Sequence, residues 1–338
     1  MSDDLKPTLA LIADGKPLTR ADAEAAFTTI MEGRAEDGQI GAFLMGLRVR
    51  GETVDEIAAG AAVMRAKATK VSAPANAIDT CGTGGDAKGT YNISTAASFV
   101  VAAYDVPVAK HGNRALSSKS GASQVLEALG VKVGIPAEDV SRCIEAAGIG
   151  FMFAPAHHSA MKHVGPIRVS LGHRTIFNLL GPLSNPAGTK RQLIGVFAKE
   201  WVEPMAHVLN ALGSERVLIA HGSDGLDELT TTGESYLAEL KDGKVTTSTL
   251  TPEDVGLARA SLDDLIGGTP EENAVALRAV LNGDKGPYRD IVALNAGAAL
   301  MIAGKADSIA DGVKMAQDAL DDGRALARLE ALVKASNG

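Results

Sequence analysis

The stretch Ala77-Ile-Asp-Thr-Cys-Gly-Thr-Gly-Gly-Asp86 joins a short apolar strand pattern to a glycine-rich turn. Glycines directly after a strand let backbone N–H groups approach an anion closely. Ser94 and Thr95 follow at the start of a helical pattern, where the helix dipole and free N–H groups favour phosphate. An ordinary strand–helix turn with a Ser or Thr cap is the alternative interpretation. In either case the stretch predicts a strand–turn–helix unit.

Strand and helix patterns alternate through most of the chain after residue 73, which is typical of parallel βαβ units. We expect further strands at 106–109, 150–153, 192–197 and 216–220. Residues 235–250 alternate apolar and polar side chains around Asp242-Gly243, which predicts a hairpin. From Pro270 onward the pattern is helical.

Residues 1–72 show helical patterns only, so we expect a small all-helical domain there. Thr19 and Thr53 each precede an acid by three residues, the spacing of a capping box. The predicted fold class is α/β: this helical domain plus a larger domain, residues 73–338, with a mainly parallel central sheet. Within 155–185 we expect short helices that return to the helical domain.

The composition excludes several classes of protein. Two cysteines in 338 residues are too few for a disulfide framework and fit a reducing compartment. A net charge of −8 argues against a nucleic-acid or anionic-membrane partner. No apolar run reaches the roughly 20 residues of a membrane span, and the first residues carry acids where a signal peptide needs bases. We therefore expect a cytoplasmic protein.

The helical pattern around Phe43, Met45 and Leu47 is apolar over most of a turn. A helix of this kind is either fully buried or meets a partner subunit. We therefore expect a homodimer formed through the N-terminal helices, with complete burial of the helix as the alternative.

A second polar segment, Lys110 to Gly121, follows the strand pattern at 106–109. Its cations supply a positive field, while hydroxyls and backbone N–H groups supply geometry. Parallel strands place their carboxyl ends at one edge of a sheet, where ligands bind. Two anion-friendly loops at that edge predict a ligand with two phosphate groups; a solvated polar loop is the alternative.

Acids follow the strand pattern at 216–220, where Asp227 and Glu228 are adjacent. Mg²⁺ is usually held by one or two carboxylates together with substrate oxygens and water. Beside a polyphosphate, this acid pair therefore predicts a magnesium site. Without the other two loops, an acidic turn would be the simpler interpretation.

Three histidines, His157, His158 and His163, lie close together in sequence. Their spacing matches no recognised zinc pattern, so we expect a polar wall of a substrate pocket instead. Arg168 follows them and suits a carboxylate, which a guanidinium holds through two parallel hydrogen bonds. We expect Cys81 to pack as a small apolar side chain.

These segments together resemble the anthranilate phosphoribosyltransferase family, and the resemblance covers almost the whole chain. The matching motifs are Asp79-Thr-Cys-Gly-Thr-Gly-Gly-Asp86, Asn92-Ile-Ser-Thr95, Lys110-His-Gly-Asn-Arg114, Ser117-Ser-Lys-Ser-Gly121 and Asp224-Gly-Leu-Asp-Glu228. The resemblance implies transfer of the phosphoribosyl group of phosphoribosyl pyrophosphate (PRPP) to the amine of anthranilate, with release of pyrophosphate, in tryptophan biosynthesis. It also implies Mg²⁺ as cofactor and a homodimer through the helical part.

The resemblance implies a role for each matching residue, with no protein nucleophile and with electrostatic roles for Lys110 and Arg114. Anthranilate would meet Gly82, Asn113 and Arg168, and Mg²⁺ would meet Ser94, Asp227 and Glu228. PRPP would meet Gly82, Gly85, Asp86, Thr90, Asn92, Ile93, Ser94, Thr95, Lys110, His111, Gly112, Asn113, Arg114, Ala115, Leu116, Ser117, Ser118 and Ala122.

The sequence departs from the family at three positions. Ala115 and Ala122 stand where the family often has Ser, and Gln124 where it often has Asp. Together these departures remove at most a few hydrogen bonds to the phosphate region, each worth roughly 0.5–1.5 kcal/mol.

Two other functions compete with this interpretation. Pyrimidine nucleoside phosphorylases share a similar Lys-His-Gly segment, but they are longer and lack the Gly-Thr-Gly-Gly-Asp turn. A non-enzymatic relative that binds nucleic acid would need a basic surface, which an acidic chain does not favour.

Overall fold

Four helices open the chain in the computed structural model, which describes residues 4–114 and 119–338. Their bounds are Lys6–Ala13 (α1), Arg20–Met31 (α2), Asp37–Arg50 (α3) and Val54–Lys67 (α4). The two predicted caps are confirmed. The Thr19 hydroxyl accepts the N–H of Asp22 at 3.2 Å, and the Thr53 hydroxyl accepts the N–H of Glu56 at 3.3 Å. Each cap satisfies a backbone donor that the helix leaves unpaired.

A seven-stranded sheet follows, in the order β3-β2-β1-β4-β5-β6-β7. The strands are Ile78–Gly82 (β1), Val108–Gly112 (β2), Ile149–Phe153 (β3), Arg191–Gly195 (β4), Arg216–Gly222 (β5), Ser235–Lys241 (β6) and Lys244–Leu250 (β7). The first five strands are parallel, and β6 and β7 pair antiparallel. The mainly parallel sheet and the hairpin are therefore confirmed.

The second strand differs from its prediction. We expected it at 106–109 with a polar loop beginning at Lys110, but Lys110, His111 and Gly112 belong to β2 itself. Lys110 and His111 are only 2% and 6% exposed. Their polarity concealed the strand, because strand patterns are identified by apolar side chains.

Helices cover both faces of the sheet. They are Ile93–Ala102 (α5), Ala122–Ala128 (α6), Ala137–Ala147 (α7), Ala154–His157 (α8), Gly165–Leu171 (α9), Phe177–Leu183 (α10), Val202–Ala211 (α11), Pro270–Leu281 (α12), Pro287–Ala303 (α13), Ile309–Asp321 (α14) and Arg324–Asn337 (α15). Along β5, Leu218 and Ala220 join the core that holds α5 and α13. Val217 and Ile219 join the core that holds α11 and the N-terminal helices. This alternation is the period of two expected of a strand buried on both faces.

The short helices α9 and α10 pack against the N-terminal helices. Phe177 at the start of α10 meets Phe27 of α2 edge-on, with ring centres 5.9 Å apart. Phe27 also meets Phe43 of α3 edge-on at 5.3 Å. Such edge-to-face pairs add to the stability gained from burial alone. In residues 4–114 and 119–338, no helix is long and apolar enough to cross a membrane.

Candidate active site

The carboxyl ends of β1, β2 and β5 lie at one edge of the sheet, where residues distant in sequence meet. The N–H of Gly84 in the β1 turn donates to Asp227 Oδ2 at 2.7 Å. The N–H of Ser94, in the first turn of α5, donates to Glu228 Oε1 at 3.2 Å. The structure thus brings the glycine turn, the start of α5 and the acid pair together.

Two glycines make room for the acid pair. A Cβ on Gly82 would lie 2.4 Å from Asp227 Oδ2, and a Cβ on Gly195 would lie 1.5 Å from the carbonyl oxygen of Asp227. Neither distance is possible for a real side chain, so only glycine allows the acid turn to rest on β1 and β4. The sequence indicated a role for Gly82 but none for Gly195, because Gly195 ends a strand far along the chain.

Asp224 fixes the turn that presents the acid pair. Its Oδ1 accepts the N–H of Leu226 at 3.1 Å. Its Oδ2 accepts the hydroxyls of Thr230 and Thr232, each at 2.6 Å. Because its oxygens are occupied in this way, Asp224 stabilises the loop, and the neighbouring acids remain the ones that face the glycine turn.

The acids at this edge are half-buried and repel one another. Burial raises the pKa of Glu228 to about 7, although Lys110 partly opposes the shift. Burial and then the charges of Asp86 and Glu228 raise the pKa of Asp227 well above its usual value. Burial also raises the pKa of Asp86. Carboxylates in this state are stabilised by a bound cation.

The donor set fits Mg²⁺, a hard cation that prefers oxygen ligands. The carboxylates of Asp227 and Glu228 and the hydroxyl of Ser94 supply oxygens. Within the described ranges, no three His, Cys, Asp or Glu side chains form a group able to hold a metal ion. In proteins, substrate phosphates and water usually complete the ligand set of a magnesium ion held by one or two carboxylates.

Lys110 places a buried cation beside the acids. Its Nζ donates to the carbonyl of Thr80 at 2.5 Å and to Ser94 Oγ at 3.3 Å. Burial lowers the pKa of Lys110, and the charges of Asp79 and Glu228 oppose that shift. A lysine held in this way is a fixed point charge beside the start of α5, where a phosphate is favoured.

Arg168 lies on α9 with part of its donor capacity unused. Its Nη2 donates to Asn178 Oδ1 at 3.3 Å, and its guanidinium carbon lies 5.7 Å from the ring centre of Phe177. Its Nε is buried without a hydrogen-bond partner, and burial lowers the pKa of Arg168. A buried guanidinium with a free N–H is suited to an anionic group such as a carboxylate.

The histidines divide into two groups. The rings of His111 and His158 lie 5.2 Å apart, and the Nε2 atoms of His111, His157 and His158 are buried without partners. Burial lowers the pKa of His111 to about 3 and that of His158 to about 4, so both are neutral at pH 7. His163 packs instead against Gly33. The arrangement resembles a polar wall more than a zinc site.

Other predicted site residues are buried or lie beside the glycine turn. Ile93 and Thr95 are each 1% exposed, so their side chains are packed inside the protein. Asn113 Oδ1 accepts the N–H of Arg114, whose guanidinium pairs with Glu127 at 3.3 Å. The predicted residues outside the described ranges are Ala115, Leu116, Ser117 and Ser118.

The remaining predicted positions frame the glycine turn. Thr90 forms an isolated bridge with Ile266, and Asn92 Oδ1 accepts Asn273 Nδ2 at 3.0 Å. Ala122 begins α6 and lies against Gly112. Cys81 is buried, as predicted.

Gln124, one of the departures, supports α6 locally. Its Oε1 accepts the N–H of Gly121 at 3.1 Å, which satisfies a donor at the helix start. Arg174, to which sequence reasoning gave no specific role, lies over the ring of Phe197 at 4.4 Å and donates to the Gly85 carbonyl. It connects the segment after α9 to the glycine turn, a contact that no sequence pattern indicates.

Comparison with known proteins agrees with this architecture. A family model described as the helical bundle domain of a glycosyl transferase family matches residues 6–68. The corresponding a/b domain model matches residues 74–326. Fold and site together therefore define a glycosyl transferase with a helical bundle and an α/β domain.

Individual relatives narrow this class. Anthranilate phosphoribosyltransferase of Azorhizobium caulinodans is 60% identical over 331 residues, 98% of this chain and 96% of that protein. The Rhodopseudomonas palustris protein of the same name is 60% identical over 98% of each chain. The crystal structure of anthranilate phosphoribosyltransferase from Thermus thermophilus superposes on this chain with a TM-score of 0.93 at 45% identity. The match covers 98% of this chain and 99% of that one. The chain belongs to the anthranilate phosphoribosyltransferase family.

Proposed function

We propose that the chain transfers the phosphoribosyl group of PRPP to the amine of anthranilate in tryptophan biosynthesis, releasing pyrophosphate. The observation that carries the proposal is the 60% identity to named anthranilate phosphoribosyltransferases over 98% of the chain. A yeast relative, with a TM-score of 0.89 at 28% identity and 98% coverage of each chain, was solved with PRPP and Mg. The glycine turn, the acid pair and Lys110 offer that ligand chemistry here.

In the proposed complex, PRPP lies along the carboxyl edge of the sheet. Backbone N–H groups of the glycine turn and of the start of α5 face its pyrophosphate, where the helix dipole favours negative charge. Asp227, Glu228 and Ser94 hold Mg²⁺, which when bound neutralises charge on the pyrophosphate. Because these acids lie close together, a bound cation relieves their mutual repulsion, which makes them good metal ligands.

Departure of pyrophosphate from the ribose is the demanding step. It builds positive charge on the sugar and negative charge on the leaving group. Lys110 lies fixed beside Ser94, and its positive charge stabilises the departing pyrophosphate without reorganisation. Arg114 adds to this field when it exchanges its exposed partner Glu127 for the ligand. The reaction needs no protein nucleophile.

Anthranilate binds through Arg168, Asn113 and Gly82 in this proposal. The unpartnered Nε of Arg168 and its Nη groups receive the carboxylate. The aromatic amine is neutral at pH 7 and already nucleophilic, so positioning it against the ribose is the main task of the protein. Neutral His111 and His158 form a wall that adds no competing positive charge.

The larger organisation is also proposed. Two domains, residues 1–72 and 73–338, are supported by separate family models for 6–68 and 74–326. Phe43 and Leu47 are fully buried within the chain, so the proposed homodimer through the N-terminal helices depends on other apolar side chains, of which Val49 on α3 is 82% exposed. A cytoplasmic location fits two free, buried cysteines.

The deciding assay follows the loss of anthranilate fluorescence with PRPP and Mg²⁺ present. We expect a decrease that requires both additions, and parallel mixtures without PRPP or with a chelator serve as controls. Phosphorolysis of uridine or thymidine without anthranilate consumption would indicate a nucleoside phosphorylase instead. Tight, salt-dependent DNA binding without catalysis would indicate a binding protein.

A further inference from the structure

Strands β1 and β2 carry the two halves of the candidate site and separate as they approach it. β1 and β2 are paired at one position, Ile78 with Val108. By contrast, β1 pairs with β4, and β2 with β3, over five residues each. Beyond that pair, side chains take over backbone groups that a continuous ladder would satisfy. For example, Lys110 Nζ donates to the Thr80 carbonyl.

Asp79 lies in this opening and is fully buried. Its Oδ1 accepts the N–H of His111 on β2 at 3.0 Å, and its Oδ2 accepts Asn185 Nδ2 at 2.7 Å. Burial raises the pKa of Asp79, while Lys110 and these two hydrogen bonds oppose the shift. A buried carboxylate is costly unless it is hydrogen-bonded. The proposed reaction does not use this acid, so its placement calls for another explanation.

Asn185 reaches the same opening from the segment after α10 and is 1% exposed. Its Nδ2 also donates to the carbonyl of Ala109 on β2 at 2.9 Å, and its Oδ1 accepts the N–H of Ala187 at 2.8 Å. The amide thus contacts a β1 side chain and the β2 backbone at once. Only an amide supplies both donors and the acceptor at this size.

We propose that Asp79 and Asn185 form a polar wedge that sets the separation of β1 and β2 at the substrate edge. The wedge fixes the backbone on both sides of Lys110 and thereby positions the Lys110 ammonium against the glycine turn. Both are positioning residues, since neither is exposed to substrate. The inference rests on the proposed function, because the slot it shapes is the one assigned to PRPP. A misplacement of about 1 Å costs as much as ~10²-fold in rate.

The test substitutes each member of the wedge. Asp79→Asn keeps the size but sets an NH₂ group against the His111 N–H or the Asn185 amide. Asn185→Ala removes both donors. We expect kcat/KM for PRPP to fall about 10–100-fold in each variant, with the anthranilate KM within about twofold of the starting protein. Adding Asn185→Asp to Asp79→Asn restores a donor–acceptor pair and should recover part of the loss.

Glu56→Gln is the matched control. Glu56 is fully buried and accepts the N–H groups of Leu18 at 2.8 Å and Thr53 at 2.9 Å, but it lies in the helical part. We expect it to lower the melting temperature as Asp79→Asn does while leaving the PRPP kinetics unchanged. If Asp79→Asn and Asn185→Ala behave like this control, the wedge is merely structural and the inference is overturned. Where Asp79→Asn does not fold, Asn185→Ala decides.

A binding measurement separates this inference from the proposed function. The melting temperature is recorded with PRPP and Mg²⁺ added to the starting protein and to each variant. A starting protein that binds PRPP without consuming anthranilate refutes the proposed function; a smaller PRPP-induced shift in the variants still supports the wedge. Equal shifts in all proteins together with an unchanged kcat/KM for PRPP overturn the wedge even if catalysis is established.

Discussion

Two regions of the molecule bury carboxylates, and they do so in opposite ways. In the helical part, Glu56 accepts the N–H groups of Leu18 and Thr53 and pairs with Arg50, so each oxygen is satisfied by the protein. At the sheet edge, Asp227 and Glu228 are adjacent, half-buried and near Asp86, and their pKa values are raised. Glu56 therefore finds all of its partners within the fold, whereas the acids at the sheet edge have a surplus of negative charge.

This contrast separates a structural acid from a functional pair. A buried charge with a full set of partners stabilises one local arrangement of helices. Acids whose pKa values are raised by burial and by neighbouring negative charges are destabilised until a cation arrives, and such perturbed groups are typical of functional sites. The contrast therefore supports a magnesium role for the edge acids and none for Glu56.

The largest effect is expected from removing both edge charges. Asp227→Asn combined with Glu228→Gln keeps the shapes but removes the anionic ligands. We expect phosphoribosyl transfer to fall by about 10³-fold, roughly 4 kcal/mol, and the dependence of the rate on Mg²⁺ concentration to weaken. A magnesium titration of the initial rate measures both. A double variant that kept its normal magnesium response would show that the acid pair is not the metal site.

The next largest effect is expected at Glu56, the buried acid of the helical part. Glu56→Gln leaves Arg50 without its carboxylate and weakens the bonds to Leu18 and Thr53, and breaking a buried pair costs about 3 kcal/mol. We expect the free energy of unfolding, measured by urea denaturation, to fall by that amount. Activity per folded molecule should stay unchanged in native buffer. A large loss of activity in the folded protein would erase the distinction between the two regions.

The sequence alone predicts the functional region better than the structural support around it. The glycine turn and the pair Asp227-Glu228 follow strand patterns, so strand–helix alternation alone brings them to one edge. Asp79 and Asn185 lie 106 residues apart, and nothing local indicates that they meet. Their contact depends on how the segment after α10 enters the sheet, which tertiary packing decides.

Lys110 shows a second limit of sequence reasoning. As a lysine it is expected to bind phosphate, and the sequence pattern predicts that it lies in a loop. In the structure it lies in β2 and is 2% exposed. A lysine inside a strand becomes tolerable only because Thr80, Ser94 and the nearby acids accept it. Those partners come from other elements, so periodicity within one segment cannot reveal the strand.

A smaller effect on catalysis is expected from a change at Arg168, which is proposed to bind the anthranilate carboxylate. Arg168→Ala removes the guanidinium beside Asn178 and Phe177 and should raise the KM for anthranilate about 10–100-fold, because hydrogen bonds to charged groups contribute about 1.5–3 kcal/mol. The KM for PRPP should change little. Arg142, exposed on α7 and paired with Asp139, is the matched control, since Arg142→Ala removes a cation from a helix that carries none of the candidate site residues. An unchanged anthranilate KM in Arg168→Ala would refute the carboxylate role.

The smallest effect tests the sign of the contrast directly. Glu228→Gln alone should stabilise the magnesium-free protein by about 1 kcal/mol at pH 8, the opposite of Glu56→Gln. The pKa of Glu228 is raised from 4.5 to about 7, so between these values the folded state binds more protons than the unfolded state. The stability of the unsubstituted protein therefore falls as pH rises through this window, and glutamine avoids that loss. Urea denaturation at pH 4.5 and pH 8 measures the difference: the variant should gain nothing at the lower pH and the full amount at the higher. A loss of stability at pH 8 would mean that Glu228 is as well satisfied as Glu56.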